Sequence, residues 1–368
     1  METYKIRLKV ETPAHIGTGE EHYATDFAIK DGKFYLIDHN KFFNHLEKLG
    51  KVDEFIEIAT SDNPSSILKI RKLIKETFKP EFAKAEIEID ETVAKEIEKK
   101  YTEVSKVEVS RREVNKVINR LSIKKVYKCP LTFKPVVPGS SLKGAIRTAI
   151  ISYILKNKKE NNPGLTAFLT KNIKLLDDKT ILDFKVDENL SNPKTARDPF
   201  RFIKVSDFNP IDTGVKIGKS QMYHIKKGSL NLPVYLEYVK EGSTFEGEIK
   251  IDRDMAEKIF KDTGFPFEIL EIENLLKQIR IHFGNYVYYK KEKERNLKFS
   301  KWKLRANKHK MEAPLKIGFH SGAYATTVAD DELRQVYDRK RKTTKPDPLT
   351  FWMINQKPMG WCYLEVIE

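Results

Sequence analysis

An alternation of apolar and charged residues opens the chain and predicts a half-buried β-strand. Residues 4, 6, 8 and 10 are apolar or aromatic and are separated by lysine and arginine residues, so their side chains share one face of a strand. Further strands are predicted at 34–37, 201–208, 234–239, 244–251 and 360–367. The strands at 234–239 and 244–251 are joined by four residues that include Gly242, which predicts that they pair with each other.

Apolar residues at helical spacing predict several amphipathic helices. A short helix is predicted over 41–49, after Asp38, and a longer one over 269–283. Residues 66–126 are highly charged and are predicted to be helical, with one apolar stripe at 67–74 and another at 114–121. We interpret this region, at about 60–128, as an inserted helical lobe that is not part of a sheet.

Mixed strands and helices with hairpins indicate an α+β fold rather than a doubly wound parallel sheet. With 368 residues, the chain is long enough to bury a large core and to form two domains. The pattern predicts an N-terminal domain at 1–209, which contains the helical insertion, and a C-terminal domain at 210–368.

The segment from Val137 to Arg147 carries the most specific chemical signal. Pro138 and Gly139 interrupt the preceding chain, and Ser140 or Ser141 can cap the helix that follows. Lys143 and Arg147 are four residues apart, so they share one face of the first helical turns. Free amide N–H groups, two hydroxyl groups and two cations at a helix start favour binding of an anion, of which phosphate is the obvious candidate.

Two alternatives to this interpretation follow from the same residues. In a nucleotide-binding P-loop, lysine and then serine or threonine follow the second glycine, whereas Ala145 and Ile146 follow Gly144 here. The spacing therefore argues against an ATPase. The other alternative is a capped amphipathic helix whose two cations are only solvated.

The charge balance favours a polyanionic partner. The chain carries 68 Lys and Arg against 53 Asp and Glu, a net charge of +15, and such an excess gains affinity for phosphates by releasing counterions. The segment 290–310 contains ten Lys or Arg and two acids. Because Phe299 and Trp302 lie within it, the segment suits stacking on unpaired bases. The alternative is an exposed basic loop that Trp302 anchors to the core.

Two cysteines, Cys129 and Cys362, lie far apart in the chain. They exclude a disulfide framework and a cysteine-rich zinc site, and they fit a reducing compartment. No secretory signal is expected, because charges alternate from Lys5 onward. No apolar run has the length of a membrane span. The sequence predicts a soluble cytoplasmic protein without a membrane partner, cofactor or metal ion.

Motifs spread over nearly the whole chain resemble those of RAMP proteins from CRISPR effector complexes. They are His15 to Gly19, Tyr35 to Asp38, Pro138 to Arg147, Lys204 to Asp207, Glu241 to Phe245, Lys316 to Gly322 and Met359 to Trp361. Size and motif order are most similar to the type III-A (Csm-type) subunit that caps the 3′ end of the crRNA. The resemblance implies tandem ferredoxin-like (RRM-like) domains with glycine-rich loops.

The same resemblance implies partners and contact residues. The partners are the crRNA, the backbone and other Csm-type subunits, target RNA and maturation nucleases. The implied crRNA contacts of the mid-chain motif are Gly139, Ser140, Ser141, Lys143 and Arg147. A late loop adds Lys316, Gly318, His320, Ser321 and Gly322, and a weaker early element adds His15, Gly17 and Gly19. From the basic segment we add Lys301, Trp302 and Lys303.

A catalytic role is the alternative to a binding role. Some RAMP proteins cut precursor crRNA with a histidine, and His15, His22 and His320 lie near glycine-rich turns. The type III backbone subunit cuts target RNA with a metal-dependent loop aspartate, for which Asp26 is the nearest candidate. Only Glu20 and Glu21 could add oxygen ligands beside it. We therefore expect a non-catalytic RNA-binding subunit, with an endoribonuclease as the alternative.

Overall fold

The computed structural model describes residues 1–61, 63, 65–105, 121–162, 164–165, 198–230, 233–293, 298–300, 302–331, 336–338, 342–345 and 347–368. The strands are β1 Glu2–Val10, β2 Gly17–His22, β3 Phe27–Lys30, β4 Lys33–Ile37, β5 Ala83–Ile89, β6 Ile123–Val126, β7 Ile203–Val205, β8 Asn209–Asp212, β9 Val215–His224, β10 Gly228–Ser229, β11 Val234–Val239, β12 Thr244–Ile251, β13 Glu312–Lys316, β14 Val336–Asp338, β15 Thr343–Lys345, β16 Thr350–Ile354, β17 Lys357–Pro358 and β18 Trp361–Val366. The α-helices are α1 His39–Lys48, α2 Val52–Thr60, α3 Ser66–Thr77, α4 Glu91–Ser105, α5 Gly139–Asn161, α6 Arg253–Phe260 and α7 Ile272–Ile279.

Strand β1 lies inside the smaller of two large sheets. The strand order is β13–β18–β1–β12–β7, and β8 also pairs with β12. β1 is antiparallel to both of its neighbours, β12 and β18. Ile6, Leu8 and Val10 are buried, so the alternation at the start of the chain predicted this strand and its buried face correctly.

One core joins this sheet to helices α5 and α7. Helix α7 contacts α5 and β13, and a π-helical segment, Arg280–Glu292, continues directly from α7. The helix predicted over 269–283 is therefore present from Ile272, after a short 3₁₀ turn at Phe267–Leu270. The Arg280 guanidinium donates to the carbonyl oxygen of Glu312 over 2.8 Å, which fixes the start of the π-helix against β13.

The larger sheet has the order β2–β6–β11–β9–β5–β4–β3. Strands β10 and β16 add to β9, and β17 pairs with β16. β11 runs parallel to β6, and β5 runs parallel to β9. A separate pair is formed by β14 and β15.

Two predictions from the sequence are wrong. Strands β11 and β12 are present with the expected bounds, but they lie in different sheets and do not pair with each other. The region 60–128 is not purely a helical lobe, because β5 and β6 within it are strands of the larger sheet. Both errors concern strand pairing, which local spacing does not encode. The apolar stripe at 114–121 lies outside the described residues except for Leu121.

Other local predictions are confirmed. Helix α1 begins directly after Asp38, whose side chain accepts from the backbone N–H of Lys41 over 3.2 Å, as expected of a capping aspartate. β4 and β18 match the predicted strands at 34–37 and 360–367. The strand predicted over 201–208 is shorter, because a 3₁₀ turn at Pro199–Phe202 precedes β7.

The arrangement is α+β. Each large sheet draws strands from both sides of the predicted domain boundary at residues 209 and 210, so the sheets do not correspond to those two ranges, and the boundary stays a prediction. No helix within the described ranges is long and apolar enough to cross a lipid bilayer.

The buried histidine of the π-helix makes the fold sensitive to acid. Burial lowers the pKa of His282 from 6.5 to about 3, so the folded state resists protonation of this group. Its stabilising contribution is complete above pH 6.5 and is lost as the pH falls from 6.5 towards 3. We expect this group to lower the free energy of unfolding by about 1.4 kcal/mol per pH unit within that window.

Urea denaturation between pH 4 and pH 7 measures this slope. In the variant His282→Gln, the free energy of unfolding should depend less steeply on pH than in the unmodified chain, whatever the variant's stability at neutral pH. Parallel slopes for the two proteins would contradict the assignment.

Candidate nucleic-acid interface

Two of the predicted glycine-rich turns contact each other directly. The backbone N–H of Phe319 donates to the carbonyl oxygen of His15 over 2.8 Å. Gly318 has a φ of +87°, and a Cβ atom at that position would lie 2.5 Å from the same oxygen. A side chain is therefore excluded at Gly318 by both conformation and contact. The turn after β1 and the turn after β13 thus form one unit.

The His15 side chain supports this unit from inside the protein. The residue is 3% exposed, and its Nδ1 atom lies 2.7 Å from the carbonyl oxygen of Glu237. Because a carbonyl oxygen only accepts, Nδ1 carries the proton. Burial lowers the pKa of His15, so the ring is neutral near pH 7. The exposed residues that follow, Gly17, Thr18 and Gly19, begin strand β2, whose pairing with β6 is irregular there.

His320 has a similar internal role in the second turn. Its ring stacks on those of Phe319 and Trp352, each with centroids 3.7 Å apart, and its Nδ1 atom lies 3.0 Å from the Ser220 hydroxyl. Burial, with smaller electrostatic contributions from nearby His15 and Lys124, lowers the pKa of His320 to about 3. The ring therefore holds the turn in place as a neutral aromatic group.

Two further residues of the second turn are also buried. Ser321 is buried, and the Lys316 ammonium group lies 2.7 and 3.0 Å from the two carboxylate oxygens of buried Glu292. The predicted contacts Lys316 and Ser321 are therefore buried, and His320 is half-buried. The side chain that this turn presents to solvent is Phe319, which is 43% exposed.

Exposed aromatic rings on both sides of the first turn were missed by sequence reasoning. Phe319 lies on one side, with the Lys124 ammonium group 5.7 Å from its ring centroid. On the other side, Tyr127 is 42% exposed and its backbone N–H donates to the carbonyl oxygen of Ile16 over 2.8 Å. Single-stranded nucleic acid binds such surfaces by stacking its bases. The signal for Phe319 was an aromatic residue inside a glycine-rich motif, whereas Tyr127 follows a region that was predicted to be helical.

The start of helix α5 differs from the predicted anion cradle. The helix begins at Gly139 with Pro138 in the capping position, and neither serine caps it, so that prediction is wrong. The Gly139 N–H donates to the Asp207 carboxylate over 2.8 Å. A Cβ atom at Gly139 would lie 2.3 Å from the carbonyl oxygen of Val205. The helix start thus packs against the turn after β7. One of its amide N–H groups is already hydrogen-bonded to the Asp207 carboxylate.

The two cations of this helix have different surroundings. The Arg147 guanidinium donates to both oxygens of Asp198 over 2.9 and 3.1 Å, and it lies 4.6 Å from the centroid of Phe200. Lys143 has no ion pair within the described ranges, and desolvation lowers its pKa, as does the positive charge of Lys204 to a smaller extent. Lys143 and exposed Ser140 are therefore the side chains that remain accessible to an anion here.

A β-hairpin links the helix start to the first turn. The backbone carbonyl oxygen of Tyr127 accepts a hydrogen bond from the N–H of Val136 over 3.1 Å. Val137 pairs with Phe208 beside the helix start. At the hairpin tip Leu131 is 90% exposed. Backbone contacts therefore connect the three glycine-rich elements that the sequence analysis identified, at 15–19, 137–147 and 316–322.

The basic segment is anchored as its alternative interpretation predicted. Trp302 stacks on buried Trp361 with centroids 5.8 Å apart and packs edge-on against Tyr288. Lys303 is exposed, and Lys301 lies outside the described residues. RNA contact by this segment stays a prediction.

Two of the nuclease candidates, Asp26 and His22, already have hydrogen-bond partners within the protein. The Asp26 carboxylate accepts from the backbone N–H of Tyr23 over 2.9 Å. His22 donates to the carboxylate of Glu237, with 2.9 Å between Nε2 and the oxygen. In the described part of the chain, no group of three or more His, Cys, Asp or Glu side chains is placed to hold a metal ion.

Comparison with known proteins gives the family. The RAMP superfamily model matches residues 7–318. The chain belongs to the RAMP superfamily. This agrees with the glycine-rich turns that the structure places at 15–19 and 316–322.

Two curated relatives cover most of this RAMP chain. A Csm5 protein of the CRISPR system from Methanocaldococcus jannaschii is 28% identical over 362 residues, covering 93% of this chain and 77% of its own. A Csm5 protein from Streptococcus thermophilus is 26% identical over 355 residues, covering 92% and 84%.

Two solved structures share the fold of this RAMP chain. One is a chain in the cryo-EM structure of a type III-A Csm–crRNA–target RNA ternary complex, with a TM-score of 0.66, 20% identity and coverage of 99% of this chain and 100% of that chain. The other is the crystal structure of T. onnurineus Csm5, with a TM-score of 0.61, 20% identity and coverage of 97% and 99%.

The two glycines of the mid-chain RAMP motif should respond oppositely to alanine. Gly139→Ala places a methyl group against backbone carbonyl oxygens, and we expect a loss of about 1–3 kcal/mol in the free energy of unfolding. Gly144 is exposed in the helix and has no atom within 4 Å of the added Cβ. Gly144→Ala should therefore stabilise the protein by about 0.5–1 kcal/mol.

Thermal or urea unfolding of the two variants checks this pair. A stability loss at Gly144 as large as that at Gly139 would contradict the docking of the helix start on the turn after β7.

Proposed function

We propose that this protein is a non-catalytic crRNA-binding subunit of a type III-A CRISPR effector complex, which caps the crRNA 3′ end and supports crRNA maturation and complex assembly in antiviral defence. Similarity to Csm5 proteins over more than nine-tenths of the chain supports this assignment. Its partners are then the crRNA, the backbone and other Csm-type subunits and target RNA, with recruited maturation nucleases as a further partner class. Such a complex acts in the cytoplasm.

The observation that carries the proposal is the exposed, glycine-containing start of β2, Gly17–Gly19, between two aromatic surfaces. Backbone amides of such an irregular segment can approach phosphates closely, whereas Phe319 and Tyr127 offer faces to unpaired bases. The contacts need no particular base sequence, as expected of a subunit that holds guides of many sequences. The predicted contacts Gly139, Ser140, Ser141, Lys143 and Arg147 belong to the same proposal, with Lys143 as the accessible cation.

We also propose that the smaller sheet forms a ferredoxin-like unit. Its elements follow the order β1, α5, β7, β12, α7, β18, which is the βαββαβ sequence of that fold. The unit draws on both ends of the chain. A second, tandem unit in the larger sheet stays a prediction.

Loss of the accessible cation should weaken RNA binding through phosphate contact. We expect Lys143→Ala to lower the affinity for single-stranded RNA equally for all sequences and to reduce the slope of log K against log salt by about 0.7. Fluorescence anisotropy at several salt concentrations measures both effects. Lys156→Ala is the matched control, because this exposed lysine lies about 20 Å further along the same helix.

An aromatic variant separates stacking from charge at the same surface. Phe319→Ala should make the free energy of RNA binding less favourable by about 1–3 kcal/mol. The slope of log K against log salt should stay unchanged. If neither Lys143→Ala nor Phe319→Ala alters RNA binding, the interface lies elsewhere on the protein.

A nuclease test addresses the alternative function. Purified protein incubated with labelled precursor crRNA or target RNA, with and without magnesium, should leave the RNA intact, because buried His15 and half-buried His320 are both held in internal contacts. Cleavage that is lost in His15→Ala, His320→Ala or Asp26→Ala would replace the binding role by an endoribonuclease.

A further inference from the structure

The larger sheet curls around a cavity of about 370 Å³. Strands β2 and β6 lie at one end of the sheet order and β4 and β5 towards the other, yet residues from both ends line this space. The hairpin between Tyr127 and Val136 closes one side. The lining residues are Thr18, His22, Asp26, Leu36, His39, Lys84, Lys125, Val126, Lys128, Cys129, Pro130 and Phe133.

A buried histidine with an unused nitrogen lines this cavity. His22 is 2% exposed, and its Nε2 atom lies 2.9 Å from a Glu237 carboxylate oxygen. Glu237 also accepts from the Lys128 ammonium group over 2.6 Å and from the Val126 N–H over 2.8 Å. The Nδ1 atom of His22 has no hydrogen-bond partner within the described residues. A buried polar atom without a partner costs stability unless a ligand or water satisfies it.

The remaining lining combines cations with apolar surface. Lys84 is exposed and has no ion pair in the described ranges, and Lys125 contacts only the exposed Glu20 carboxylate, at 3.3 Å. Leu36, Pro130 and Phe133 provide the apolar part. Cations can bind a phosphate through charge-assisted hydrogen bonds. An apolar wall can contact the face of a base, and one polar nitrogen can hydrogen-bond to the edge of the base.

We propose that this cavity binds one unstacked nucleotide of the bound RNA, with its phosphate towards Lys84 and Lys125 and its base between Phe133 and His22. Thr18 belongs both to the exposed segment Gly17–Gly19 at the start of β2 and to the cavity wall, so an RNA strand that follows this segment passes the cavity entrance. The inference rests on the proposed RNA-binding function and adds a discrete site to it.

Cys129 is a natural reporter of occupancy, because it also lines the cavity. Hydrogen bonds from the Thr132 hydroxyl and from the backbone of Thr132 and Leu131 lower the pKa of the Cys129 thiol, which favours the reactive thiolate. Cys362 is fully buried, and burial raises the pKa of its thiol. A maleimide should therefore label Cys129 in the folded protein, and Cys129→Ser should abolish labelling.

The experiment compares the labelling rate of Cys129 with and without ligand while anisotropy reports RNA binding in the same mixture. A single-stranded RNA of about ten nucleotides, at roughly ten times its Kd, should slow labelling about tenfold. Adenosine monophosphate and pyrophosphate are tested in parallel. Protection by adenosine monophosphate at lower concentrations than RNA would assign the site to free nucleotides and overturn the RNA assignment. Equal protection by pyrophosphate would overturn the base contact.

A pair of charge-matched double variants tests the lining residues. Lys84→Ala with Lys125→Ala should abolish protection even when the RNA concentration is raised to restore equal RNA occupancy. Lys30→Ala with Lys48→Ala removes two exposed lysines that do not line the cavity and should leave protection intact.

The remaining outcomes separate this inference from the proposed function. RNA that binds without protecting Cys129 would overturn the cavity site and leave RNA binding standing. Absence of RNA binding would overturn both. Protection that requires a second Csm-type subunit and no RNA would make the cavity a protein interface instead.

Discussion

The backbone contact between the His15 carbonyl group and the turn at Gly318 holds the candidate interface together. It joins the end of β1 to the end of β13, two strands on either side of β18 in the smaller sheet. Only glycine allows this approach at position 318, because any Cβ atom would meet the oxygen of His15. The buried ring of His15 and the half-buried ring of His320 then pack behind the two segments. The exposed surfaces of Gly17–Gly19 and Phe319 depend on this internal support.

The same arrangement explains why conspicuous motif residues lie inside the protein. Lys316 neutralises the buried Glu292 carboxylate, and leaving either charge unpaired there would cost several kcal/mol, on the order of 3–5. Gly139 allows helix α5 to dock on the turn after β7. Residues that make a family motif recognisable can thus shape the backbone, while neighbours outside the motif supply the exposed surface.

Local features of the sequence predicted much of the fold. Strand β1 followed from strict alternation, and α1 followed from a capping aspartate and helical spacing. The partners of β11 and β12 could not be predicted, because β6 and β1 lie far along the chain and the neighbouring β9 was not recognised as a strand. For β5 the signal was present, since Ala83, Ala85, Ile87 and Ile89 alternate with Lys84, Glu86 and Glu88, but the surrounding helical spacing concealed it. The carboxylates of Asp198 and Asp207 at helix α5 had no local signal, since each reaches the helix from a distant segment.

Ion pairing also limits how many of the cations behind the net charge of +15 can contact a phosphate. Near the interface Lys124 pairs with Glu21, Lys128 with Glu237 and Arg147 with Asp198. An approaching phosphate gains little from a cation that a carboxylate already neutralises, since binding must first separate the pair. For the proposed RNA-binding role, a long-range positive potential speeds association with a polyanion. In that role, specificity for single strands has to come from aromatic faces, backbone amides and a few accessible lysines. The proposed surface would then favour unpaired RNA over duplex, because only unpaired bases expose faces on which Phe319 and Tyr127 can stack.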